Sequence, residues 1–107
     1  MKYLKKFENI DYDYCFPVNA NDLSSYINIF RMYDAPFKLI KCNGKKFDKM
    51  DHVDVDYFIC FNPDSFTDYN IHSALKNKSY TITKDEVNKF GNEVDVDFTL
   101  NTIKYNI

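Results

Sequence analysis

A chain of 107 residues, 45% hydrophobic and 18% aromatic, has the length of one domain and enough apolar side chain to form a real core, which excludes a disordered tail. Its formal charge of −2 excludes the strongly basic balance of a duplex-DNA binder. No apolar run approaches transmembrane length, and the basic start MKYLKKFENIDYDY has no apolar stretch behind it, so neither membrane insertion nor secretion is expected. The cysteines Cys15, Cys42 and Cys60 are odd in number and lack a Cys-x-x-Cys spacing. They read as reduced thiols of a cytoplasmic protein, not as a disulfide framework or a zinc site.

From Asn9 to Phe16, Ile10, Tyr12, Tyr14 and Phe16 alternate with Asp11, Asp13 and Cys15, the period of a half-buried strand that Pro17 ends. Asn19 or Asn21 caps a helix whose stripe is Leu23, Tyr26, Ile27, Phe30 and Tyr33, and Pro36 prevents its continuation. Phe37 to Cys42 is a short strand. Asn43-Gly44 then signals a type I′ hairpin into Lys45–Phe47.

A second strand is expected over Val53–Phe61, with Val53, Val55, Tyr57, Ile59 and Phe61 on one side. Asn62-Pro63-Asp64 breaks it, and Thr67 caps a helix near 68–76 with Phe66 packed on Ile71 as a hydrophobic staple. Tyr80–Ile82 forms a brief strand. Thr83-Lys84-Asp85-Glu86 is a capping box, and Gly91 suits the position just past the helix end. A third alternating strand, Glu93–Leu100, follows, with a last extended piece over Thr102–Ile107.

This order predicts a single α+β domain over residues 1–107, a mostly antiparallel sheet packed on two or three helices. The expected arrangement is ferredoxin-like (split βαβ) or a close variant, in which the first and third strands are central neighbours.

The unusual feature is aspartate, thirteen of the 16 acids. Val-Asp-Val-Asp occurs at 53–56 and again at 94–97, with Ile-Asp-Tyr-Asp-Tyr at 10–14. Aspartate is depleted in strands, and like charges set opposite each other cost roughly 0.2–1 kcal/mol per pair. The alternation assigns Asp11, Asp13, Asp54, Asp56, Glu93, Asp95 and Asp97 to one sheet face, joined by Phe58 and His52.

Successive carboxylates on a strand stand roughly 7 Å apart, too far for a ready-made metal cage. The two glycines sit in a hairpin and at a helix end, so no phosphate-gripping loop is present. No catalytic residue, metal ligand or cofactor is therefore assigned. Instead the acidic face suits a basic protein partner such as a nuclease, with complementary charge steering the encounter and aromatic side chains anchoring it. Candidate anchors are Tyr3, Phe7, Phe58, Phe66 and Tyr69. In size and acidity the chain resembles small inhibitors of the toxin-immunity and phage anti-defence kind, which implies a stoichiometric blocker. Direct nucleic-acid binding is not expected. A small divalent-metal-dependent enzyme on nucleotides or nucleic acid is the alternative, and a homodimeric structural module a further one.

Overall fold

The computed structural model describes residues 14–44 and 55–105. Its chain order is β1 (Tyr14–Val18), α1 (Ala20–Met32), β2 (Phe37–Cys42), β3 (Tyr57–Phe61), a 3₁₀ turn (Pro63–Ser65), α2 (Tyr69–Lys78), β4 (Tyr80–Thr81), α3 (Lys84–Phe90), β5 (Gly91–Glu93) and α4 (Val96–Tyr105). The five strands form one antiparallel sheet in the order β4-β1-β3-β2-β5. As the sequence predicts, the first and third strands are central neighbours, and β1–α1–β2 brackets β3. The helix α3 stands where the Thr83–Glu86 box predicts one, whereas α4 occupies residues expected to be extended.

Burial explains the layering. On one sheet face Phe16, Val18, Leu39, Tyr57, Ile59 and Phe61 meet Leu23, Ile27 and Phe30 of α1, Leu75 of α2, and Val96, Leu100 and Ile103 of α4. Phe30 is the hub, with ring centroids 5.1–6.0 Å from Phe16, Phe37, Phe61 and Phe66. Edge-to-face and stacked pairs of this kind add to the area buried. On the other face Cys15, Ile40, Phe58 and Cys60 pack with Ile82, Val87 and Phe90, so α3 forms a third layer. A strand with helices on both sides needs apolar residues at every position. All five residues of β3, Tyr-Phe-Ile-Cys-Phe, are buried.

The helix ends follow local chemistry. Thr83 and Glu86 form the predicted capping box at α3. At α1 the Asn19 side chain makes no cap bond. The Ala20 N–H instead donates to the Asp56 carboxylate at 2.8 Å. The helix closes in a Schellman motif: Asp34 takes a left-handed φ of 54°, the Asp34 N–H donates to Arg31 and the Ala35 N–H to Phe30. Asp68, not Thr67, caps α2, donors being the Asn70 and Ile71 N–H groups. Phe66 is consequently not in the staple position and joins the main core.

Four expectations are corrected. The strand β1 runs through Pro17 to Val18, because β4 covers only Tyr14 and Cys15 of its outer side and a proline lacking N–H is tolerated where no ladder partner waits. Asn43 does not adopt the positive φ of a type I′ turn, Gly44 alone having one in that pair. Its backbone N–H donates to Phe90 and its side chain to Lys89, tying the end of β2 to α3; Lys45–Phe47 lie outside the described residues. Gly91 is extended, with φ −174°, and opens β5 instead of terminating a helix in the left-handed region. Finally, the expected third strand over Glu93–Leu100 and the extended piece after it are β5 followed by α4.

Candidate functional site

The described aspartates of the repeated motif, Asp56, Asp95 and Asp97, meet different fates. Asp56 precedes β3 and reaches across to the first turn of α1. Asp95 is the N-cap of α4: its carboxylate accepts from the Phe98 N–H at 2.8 Å and its carbonyl from the Thr99 N–H. Asp97, in the first turn of α4, pairs with Arg31 in the last turn of α1 at 2.7 Å. These positions use aspartate as helix chemistry does, with carboxylates at N-terminal donors and positive dipole ends. Glu93 in β5 stands 3.7 Å from the Lys38 ammonium.

The predicted single acidic face is therefore not assembled by these residues. Asp56 lies at the start of α1 and Asp97 at its end. Eleven helical steps lead from Ala20 to Arg31, about 17 Å at 1.5 Å per residue. Phe58, predicted as an anchor on that face, is 4% exposed beneath α3. Phe66 is equally buried. Asp11, Asp13, Asp54, His52, Tyr3 and Phe7 lie outside the described residues. Among the described residues no three His, Cys, Asp or Glu side chains come together as a metal site, and no helix is long and apolar enough to cross a membrane.

The face expected to carry carboxylates carries thiols. Cys15 and Cys60 are opposite each other on β1 and β3. The Cys15 thiol is pushed far up by its hydrogen bond with Cys60 and then by burial. Burial first, then the Asp56 carboxylate and Cys60, pushes Cys42 up to about 12. Burial, with Asp56 second, also raises Tyr57. Raised thiols are poor nucleophiles at neutral pH, so this layer works as packing.

What the structure does bring together is one end of the molecule. The chain leaves α1 there at Met32 and Tyr33, and enters α2 at Tyr69 and α4 at Val96. The connection is physical: Tyr33 lies against Phe66, ring centroids 5.9 Å apart, and Arg31 holds Asp97. All four exposed large hydrophobic side chains of the described residues belong to these helix termini, Met32 at 76% and Tyr33 at 38% where α1 stops, Tyr69 at 78% where α2 begins and Phe98 at 72% in the first turn of α4. On the α4 helix Val96, Leu100 and Ile103 turn inward, so Phe98 points outward. The same helix ends and the 3₁₀ turn carry exposed carboxylates. They are Asp34 after α1, Asp64 in the 3₁₀ turn, Asp68 and Asp95 at the two caps, and Asp97. Of these, Tyr69 alone belonged to the predicted anchor set. The signal for Phe98 was its polar-side position in a helical pattern (Val96, Thr99, Leu100, Ile103) that the strand-like alternation concealed.

No family model matches the chain, and no curated protein or solved structure matches it.

Proposed function

We propose that this chain is a small binding module that blocks a basic protein, with a nuclease as the favoured kind of partner, and that it does so with the end of the fold where α1 stops and α2 and α4 begin. The supporting observation is the coincidence there of Met32, Tyr33, Tyr69 and Phe98, each exposed, with five exposed aspartates. Large apolar side chains held out in water by rigid helix ends form the anchor class of a protein interface, and carboxylates on the same helix ends give it a sign. The Asp68 and Asp95 carboxylates each accept helix-end donors through Oδ1 and both residues remain exposed, so capping leaves their charge facing outward. Tyrosine suits such an anchor because its ring buries area while its hydroxyl still finds a partner.

The test is capture from cells that contain the protein, comparing the native chain with a triple variant, Met32→Ser, Tyr69→Ser and Phe98→Ser. These side chains are exposed, so the variant folds. The expected result is one basic protein recovered in stoichiometric amount by the native chain and lost by the variant, with recovery falling as salt rises, and inhibition of that partner's activity on addition of the native chain alone. Equal recovery by both chains, or a partner whose binding is indifferent to salt and to the triple change, refutes the assignment.

A further inference from the structure

Cys15 and Cys60 are register partners in the two central strands, and the class of that pair is fixed by its neighbours. The Cys42 N–H donates to the Asp56 carbonyl, so β3 turns the backbone groups of 56, 58 and 60 toward β2. Its pairings with β1 at Phe58 and Cys60 are then of the kind without mutual backbone hydrogen bonds. Pro17, opposite Phe58 and without an N–H, requires the same assignment. In such pairs the Cα atoms approach to about 4.5 Å, the closest separation a sheet offers, and disulfides span Cα separations of about 4.4–6.8 Å. Both side chains project into the layer under α3, on the same face of the two strands.

We propose that Cys15 and Cys60 are the two halves of an intramolecular disulfide that joins β1 to β3 when the chain folds in the presence of a small disulfide oxidant. The third thiol is not a competitor. Lys38 is the residue of β2 opposite Cys60, and Cys42 is four positions further on, roughly 13 Å along the strand.

The chemistry is two exchanges with oxidised glutathione. The thiolate of one cysteine attacks the glutathione disulfide, forming a mixed disulfide and releasing one glutathione thiolate. The second cysteine, as thiolate, attacks the protein sulfur of that mixed disulfide and releases the second glutathione. Two protein thiols lose two protons and two electrons, and one glutathione disulfide becomes two glutathione thiols. With Cys15 at 0% and Cys60 at 2% exposure, the closed sheet has no room for a glutathione adduct. Exchange therefore precedes closure of the strands, and the finished bond is sheltered from reductant by the same burial.

The experiment unfolds the full chain in denaturant with reductant, then refolds it in a mixture of oxidised and reduced glutathione. Free thiols are alkylated and the product is read by intact mass and peptide map. The expected product is about 2 Da lighter than the reduced chain before alkylation, carries one alkylated cysteine, Cys42, and yields a peptide linking Cys15 to Cys60. Cys42→Ser keeps the link. Cys60→Ser has no such link, and its Cys15 carries glutathione or alkyl label, a readout that does not depend on folding. Three alkylated cysteines in the native product, a stable glutathione adduct in place of the link, or a bridge containing Cys42 overturns the proposal.

Discussion

Replacing Gly91 by alanine tests the packing of β5 on β2 more sharply than any core truncation. A Cβ built at Gly91 lies 2.5 Å from Cγ2 of Ile40 and closer still to the Lys41 carbonyl oxygen, where carbon atoms ordinarily rest at about 3.5–4.0 Å. The strand must move off by about 1 Å. One of the two obstructing groups is backbone, held in the ladder by the pairing of 40–42 with 91–93. Overpacking of this kind costs about 1–3 kcal/mol, and two loosened ladder bonds add about 1 kcal/mol each. The expected loss is at least about 3 kcal/mol, out of a total of about 5–15 for a domain of this size. With a urea slope of about 1.5 kcal/mol per M the midpoint falls by at least about 2 M, measured by far-ultraviolet circular dichroism on the reduced protein. Gly91→Asn separates two explanations. If Gly91 stood in the left-handed region at a helix end, asparagine would be the mildest replacement; if the limit is space against β2, asparagine costs at least as much as alanine. Gly44, with φ 85° and nothing within 4 Å of an added Cβ, supplies the opposite control, and Gly44→Ala loses only the roughly 1–2 kcal/mol of a left-handed alanine. A Gly91→Ala variant within 1 kcal/mol of the native chain, or an asparagine variant milder than it, refutes the reasoning.

The aspartates at α4 should divide by role. Asp95→Ala removes a cap and costs about 1 kcal/mol in urea melts, whereas Asp95→Asn keeps an oxygen acceptor and costs a few tenths. Asp97→Asn breaks an exposed pair with Arg31 and costs less than 1 kcal/mol, a difference that vanishes in high salt. Alkaline pH should unfold the reduced protein early. Cys15 and Cys42 are both raised from 9.0 in the folded chain, so the folded state keeps protons that the unfolded state releases. Their stabilisation is complete below pH 9 and is lost as pH climbs toward the folded value of Cys42, about 12, at about 1.4 kcal/mol per pH unit for each thiol. Urea midpoints that stay flat from pH 8.5 to 11 would contradict this.

Much of the fold is legible in the residues. The α1 stripe and the Thr83–Glu86 box each carry one physical instruction, and the structure obeys it. Residues 93–105 carry two. Val94, Val96, Phe98 and Leu100 alternate like a strand, while Val96, Thr99, Leu100 and Ile103 keep helical spacing. Asp95 decides between them by capping the helix, and the burial of Val96, Leu100 and Ile103 on the main core holds that choice. A similar conflict hid the third layer. The face of β3 that carries Phe58 and Cys60 looked like the outside of a two-layer sheet until α3, offering Val87 and Phe90, covered it. The acidic end was not readable, because its members come from the ends of three helices that only the tertiary fold brings together. Tyr69 was within reach, since it follows a capping residue and lies on no apolar stripe.

Pro17 has a further effect on the solution behaviour of the protein. Among the described residues β4 reaches only Tyr14 and Cys15, leaving the outer margin of β1 beyond Cys15 with no strand from β4 beside it. An intact row of amides there would offer a template on which another chain could lengthen the sheet. Proline withdraws the one amide hydrogen that the pleat would aim across that margin. The same residue that marks the parity of the central pair therefore acts as a gatekeeper, and a Pro17→Val chain would gain the donor through which sheets of neighbouring molecules fuse.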